Sequence, residues 1–290
     1  VHLNTWEGYY FDHDEPALIA LADRAAAIGI ERFVLDDGWF HGRHHDRAAL
    51  GDWWPDEHKF PEGLGDLVAH VNNLGMEFGI WFEPEMINPD SELYRTHPDW
   101  ALQLAGRPVI TARNQLVLDI SRPEVHQYLF QKIDALLSEQ PIRYIKWDHN
   151  RDLTTAGLSE GTAGYRAQVH ALYQLLQRIR AAHPEVEIES CSGGGGRIDF
   201  GVLRHTHRVW TSDCNDALSR VGIQREQERH DVGHVVGDVM AHHDVALGHL
   251  VGHHGPVAEE GLRAHAPPAR CIREGVEHSL LVVNGHHHRD

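Results

Sequence analysis

Apolar residues recur at helical spacing over Glu15–Ile28, where Leu18, Ile19, Leu21, Ala22, Ala25 and Ala26 share a face and Gly29 follows as a helix stop. The same period predicts helices over Leu67–Leu74, Pro123–Leu137 and Tyr165–Ala182. Between them lie short apolar runs bounded by polar or glycine residues: ERFVLDDGW, MEFGIWFEPE, IRYIKWDHN, VEIESCSGGGG and HRVWTSD. None has a clean period of two, which suits strands covered on both faces, and their alternation with helices predicts parallel βαβ units in an α/β fold.

Nearly every predicted strand ends in a carboxylate or a comparable polar group: Asp36 and Asp37, Glu83 and Glu85, Asp148, Glu189 and Cys191, Asp213. Polar groups at successive strand ends are what a (β/α)8 barrel gathers at its C-terminal mouth. An open doubly wound sheet would instead carry a glycine fingerprint after its first strand, and no GxGxxG stands there. The glycine run Ser192–Arg197 lacks the Lys-Ser/Thr of a phosphate loop and predicts a tight turn that lets backbone approach a ligand. Residues 1–222 form the barrel core. From about Gly222 the periodicity fades into a His- and Gly-rich remainder holding nearly half of the 26 histidines. Residues 223–290 are either the last barrel units or a poorly ordered tail, so the TIM barrel is expected to be incomplete if they do not supply its last strands.

Composition narrows the chemistry. At a formal charge of −17 the chain is a poor partner for nucleic acid. No apolar stretch approaches the roughly 20 residues of a membrane span. Three cysteines, Cys191, Cys214 and Cys271, are too scattered for a disulfide framework and favour a reducing, cytoplasmic compartment. The first residues carry neither a start methionine nor a signal pattern and have the character of an internal cut. The paired histidines His242 and His243, His253 and His254, and the run His286–His288 raise metal-dependent hydrolysis, but adjacent histidines rarely face one ion and no HExxH is present, so no metal site and no cofactor is expected.

Carboxylates beside aromatics suit sugars, whose C–H faces stack on indole rings while Asp binds their hydroxyls. Trp6, Trp39, Trp53, Trp54, Trp81, Trp147 and Trp210 all lie in or beside strand-end segments; roughly two or three are expected at the site and the others in the core. Glycosyl transfer to water needs two carboxyl groups, and Asp148 and Asp213 fit, each ending a strand. Lys146, two residues from Asp148 on the same strand face, would keep it ionised as a nucleophile must be, and Asp216 near Asp213 would favour a retained proton. Strand-end aspartates also cap helices, so these residues alone leave the roles open.

The ordered run of NTWEGYYFDHD, VLDDGWF, GDWWPDEHKFPEGL, GIWFEPEMINPDSELYRTHPDWAL, RNQLVLDISRPEV, YIKWDHNR, ESCSGGGGRID and WTSDCNDA, over roughly residues 2–220, resembles the catalytic barrel of the α-galactosidases of glycoside hydrolase family 36. The resemblance implies Asp148 as nucleophile and Asp213 as acid/base in a retaining reaction on galacto-oligosaccharides of the melibiose and raffinose type. It implies Asp36 and Asp37 on galactose hydroxyls, Trp81 and Arg113 near the ring, Lys146 and Asn150 on the floor, and Cys191, Gly193 and Gly194 beside the substrate, with Trp6 matching the aromatic of the first strand. The family also implies a β-sandwich before the barrel, a small β domain after it, and a homo-oligomer for the full-length protein. The alternatives are a related α-retaining enzyme, α-N-acetylgalactosaminidase or galactosyl transferase, and a sugar-binding fragment without turnover. After GIQRE at Gly222–Glu226 the likeness breaks off, as a shifted reading frame or local sequence error would cause.

Overall fold

The computed structural model describes residues 1–104, 106–153, 164–214, 216, 218–223 and 225; the remainder 223–290 expected above, with its paired histidines and Cys271, lies almost wholly outside them. Its strands are β1 (His2–Asn4), β2 (Arg32–Leu35), β3 (Glu77–Phe82), β4 (Met86–Ile87), β5 (Leu116–Val117), β6 (Ile142–Trp147), β7 (Glu187–Ser190) and β8 (Arg208–Val209). The helices are α1 (Trp6–Tyr9), α2 (Glu15–Ala27), α3 (Gly65–Asn73), α4 (Glu92–Thr96), α5 (Pro123–Glu139), α6 (Tyr165–Ala182) and α7 (Phe200–Leu203). Six strands form one parallel sheet in the order β1-β2-β3-β6-β7-β8, which is also their order along the chain. That succession, with α2, α3, α5 and α6 between strands, is the winding of a (β/α)8 barrel over its first six units.

The sheet is curled. Arg32 on β2 donates Nη1 to Glu187 on β7 at 2.8 Å, across the two intervening strands. His2 on edge strand β1 lies with Nε2 3.1 Å from Nη1 of both Arg32 and Arg208, the latter on the opposite edge strand β8. Flat sheets do not allow such reach. The concave face is polar at its N-terminal end, where Arg32 also binds Glu77 on β3. Above that layer Tyr144 fills the interior, with the Arg32 guanidinium 4.5 Å from its ring centre. Gly79 makes the room, because a Cβ there would stand 2.8 Å from Tyr144 Cδ1.

On the convex face Phe33, Leu35, Ile80, Ile145 and Ile188 pack against Leu18 and Ala22 of α2, Leu67 and Val71 of α3, Leu129 and Ile133 of α5, and Leu175 and Ile179 of α6. Asp14 caps α2 through Ala17 N at 3.0 Å, and Gly29, at φ 84°, turns the chain out of it. The sequence does not announce the antiparallel ribbon β4–β5, whose two-residue strands are too short to show a period. This excursion after β3 brings residues 83–88 and the turn Ala112–Gln115 over the mouth of the sheet.

Candidate active site

Side chains at the C-terminal ends of the strands and in the loops above them enclose a cleft of about 320 Å³, a size suited to a small ligand. Asp148 follows β6 directly and is buried. Its Oδ2 accepts Trp81 Nε1 at 3.1 Å and Asn150 Nδ2 at 2.7 Å, while Oδ1 accepts the His149 N–H at 2.9 Å. Burial alone would raise its pKa, but the Lys146 charge and these donors, with the Cys191 thiol, outweigh it and hold the carboxyl below its ordinary value. Asp148 is therefore a buried carboxylate that stays ionised.

Lys146 makes its direct ion pair across the sheet, with Asp36 Oδ2 at 2.9 Å, and acts on Asp148 through its charge. Burial would strip its proton; Asp36, then Cys191 and Asp148, keep it charged well above the usual lysine range. Asp36 is fixed further by the Asn4 side chain, and its backbone N–H donates to Thr5 Oγ1 at 2.9 Å. Beside it Asp37 takes a two-point bond from Arg43, Nε to Oδ1 at 2.9 Å and Nη2 to Oδ2 at 2.8 Å. Two aspartates that β2 delivers together are thus each locked by a different cation.

Arg113 projects from a two-residue turn in which Ala112 and Gln115 exchange backbone bonds at 3.2 and 2.9 Å. Both central residues, Arg113 (φ 52°) and Asn114 (φ 60°), are left-handed, a conformation that usually selects glycine at such turns. Asn88 Nδ2 clamps the turn through Asn114 O at 2.8 Å. Asp213, after β8, lines the cleft and accepts Trp210 Nε1 at 2.7 Å. Asp216, expected beside it, turns instead to the backbone N–H of Ser219 at 2.8 Å.

The residues expected at the site divide into two groups. Trp6, Asp36, Asp37, Trp81, Arg113, Lys146, Asp148, Asn150 and Asp213 line one cleft. Trp6 does so from the start of α1, just beyond the strand it was assigned to. Cys191, Gly193 and Gly194 do not line it: Cys191 is buried against Asp148, and Gly193 N donates to Asn150 Oδ1 at 3.1 Å. The glycine run makes its close approach to the chain itself, since a Cβ on Gly194 would stand 3.0 Å from Ser212 Cα and one on Gly195 2.6 Å from Thr211 O. Of the tryptophans, Trp6, Trp81 and Trp210 reach the cleft, while Trp39, Trp53 and Trp147 are buried in the core. Glu189 is also internal, buried within β7.

Sequence reasoning missed Asn4, Glu7, Phe11, Arg43, Asp46 and Gln115 as lining residues, and marked Glu83 only as one of the strand-end acids. The strand-end position of Glu83 is the one available signal. Burial, followed by the Asp148 charge, pushes its carboxyl up to about 8. No group of His, Cys, Asp and Glu side chains among the described residues is arranged to hold a metal ion.

The Melibiase family model matches residues 1–247. An α-galactosidase of Escherichia coli is 56% identical over 225 residues, covering 78% of this chain and 32% of its own length. The α-galactosidase AgaA of Geobacillus stearothermophilus is 47% identical over 228 residues, covering 77% and 31%. A crystal structure of that family 36 enzyme in complex with stachyose superposes with a TM-score of 0.74 at 46% identity, over 78% of this chain and 32% of the other. The chain spans about a third of the length of the curated relatives it matches.

Proposed function

The chain belongs to the melibiase family, and on that footing we propose that it carries the catalytic barrel of a retaining α-galactosidase acting on terminal α-galactosyl groups of galacto-oligosaccharides. The observation that carries the reading is Asp148, a buried carboxylate kept ionised by Lys146 and three directed donors, facing the same cleft as a second carboxyl group, Asp213.

In the first step an Asp148 oxygen attacks the anomeric carbon, the bond to the departing oxygen breaks, and Asp213 gives that oxygen its proton. In the second, Asp213 takes a proton from water, the water oxygen bonds to the anomeric carbon, and Asp148 leaves as carboxylate. Asp36, Asp37, Lys146 and Arg113 offer hydroxyl-binding groups, and Trp6, Trp81 and Trp210 offer ring faces for the C–H surface of the sugar. Stachyose, bound by AgaA, is a substrate of the class we assign here. The cytoplasm is the compartment we propose, on the scattered cysteines, of which Cys191 is buried and unbridged.

Hydrolysis of a chromogenic α-galactoside by the purified protein tests the reading, with the anomer released followed by NMR. Turnover with retained configuration, and loss of at least about 10³-fold in both Asp148→Asn and Asp213→Asn, supports it. Inverted product, or full activity in Asp148→Asn, rules it out.

A further inference from the structure

Glu83 and Glu85 stand two residues apart after β3 and are equally buried, at 1% and 3% exposure, yet their surroundings are opposite. Glu85 accepts Arg197 Nη1 at 2.8 Å and Trp147 Nε1 at 2.9 Å, with His149 Nε2 at 3.9 Å. Burial would raise its pKa, but Arg197 and then His149 bring it below the ordinary value. Glu83 has no ion-pair partner among the described residues. Its Oε1 accepts the Asn150 backbone N–H at 2.6 Å and its Oε2 accepts Gln115 Nε2 at 3.1 Å.

Asn150 also donates its side chain to Asp148 at 2.7 Å, so one residue clasps two buried carboxyl groups. Two negative charges held this close in a desolvated wall disfavour each other. The charges facing Glu83 offer little relief. From the β2 side come Asp37 and Arg43, already bound to each other; from β6 come Asp148 and Lys146, the latter paired with Asp36; from the loop after β6, Arg151 spends its guanidinium on the carbonyls of Ile110, Gln115 and Asp152. On the Arg113 turn, Gln115 is the group in contact.

We propose that Glu83 is a positioning residue that joins the Asp148 loop to the Arg113 turn as a neutral carboxylic acid, and that loss of its proton switches the site off. The proposal rests on Asp148 as the nucleophile and adds a pH control to that site. Gln115 supplies the partner for a protonated Glu83. Among the described residues its Oε1 is a buried acceptor without a hydrogen bond, and a half-turn of the amide sets that acceptor at the same 3.1 Å from Glu83 Oε2. Deprotonation, with the proton passing to water in the cleft that Glu83 lines, would remove that donor and place a second charge beside Asp148. The carboxyl value of about 8 puts the switch on the alkaline side of neutrality.

The test is the pH profile of kcat on p-nitrophenyl α-galactoside for the wild type, Glu83→Gln and Glu83→Ala. A neutral post predicts a wild-type rate that falls about tenfold per pH unit above about 8, a few-fold loss at pH 6 with no such fall in Glu83→Gln, and about 100-fold loss at pH 6 in Glu83→Ala. Glu83→Gln with the wild-type fall, or as impaired as Glu83→Ala, overturns the proposal while leaving Asp148 as nucleophile intact. Infrared titration gives a readout besides rate: a carboxylic-acid C=O band that disappears near pH 8 in the wild type and is missing from Glu83→Gln supports the proposal, and a band shared by both proteins, or none in the wild type, overturns it. Mass spectrometry after reaction with a 2-deoxy-2-fluorogalactosyl fluoride separates the two readings, because lack of an adduct on Asp148 in an otherwise active protein sinks both.

Discussion

Trp210 donates its indole N–H to Asp213 Oδ1 at 2.7 Å, while the same ring lies 5.5 Å from Lys146 Nζ. The side chain that orients the proposed acid/base therefore also covers the cation serving the proposed nucleophile. Trp210→Phe keeps the ring and removes the donor. The expected outcome is a kcat about tenfold lower on melibiose-type substrates with a poor leaving oxygen, and a smaller loss on p-nitrophenyl α-galactoside, whose leaving group needs little protonation. Equal losses on both substrates would show that the bond to Asp213 does not serve proton transfer.

Lys146 is the buried cation between Asp36 and Asp148. Lys146→Met leaves both carboxylates without it, which costs about 3–5 kcal/mol for a broken buried pair. In the wild type Asp148 is held below its ordinary 3.8, so it stays ionised until the pH falls through that lowered value. Without Lys146 the burial contribution dominates and the protonation of Asp148 moves upward. The acid limb of kcat/KM should accordingly lie at higher pH in the variant than in the wild type.

Much of this arrangement is legible in the sequence, and what is not has identifiable physical causes. Lys146 and Asp148 share a strand face by the two-residue period, so their mutual influence follows from sequence. That Lys146 reaches Asp36 does not, because the contact crosses β3 and requires the curl of the sheet. Glu83 and Glu85 look alike as strand-end acids, yet the chain leaves β3 at Phe82 and Pro84 intervenes, so only Glu83 reaches the cleft. Arg43, Asn88 and Gln115 come from loops and a ribbon with no period to mark them. The glycine run announced a close approach, and one object of it that the sequence does not name is the backbone carrying Asp213.

Gly194 is the sharpest instance of that packing. It combines φ 89° with a Cβ position 3.0 Å from Ser212 Cα and 3.2 Å from Asp213 N. Gly194→Ala must move the segment that presents Asp213, since backbone atoms cannot swing aside as a side chain can. Destabilisation of about 1–3 kcal/mol is expected, with kcat falling by at least about tenfold at temperatures where the variant remains folded. Gly222→Ala, with nothing among the described residues within 4 Å of its added Cβ, is the control and should match the wild type.

The raised carboxyl of Glu83 also makes stability depend on pH, with a definite sign. Its folded value of about 8 lies above the ordinary 4.5 of an unfolded chain. Below 4.5 both states carry the proton and the group contributes its full share. Between 4.5 and about 8 the unfolded chain releases a proton that the folded protein retains, so stability falls as pH rises, and above about 8 the loss is complete. Glu83→Gln removes this dependence. Thermal unfolding should therefore show the variant gaining on the wild type steadily from pH 4.5 to 8, by up to about 1.4 kcal/mol per pH unit. A difference in Tm between the two that stays constant across that window would mean that Glu83 is ionised in the folded protein, as Glu85 is beside Arg197.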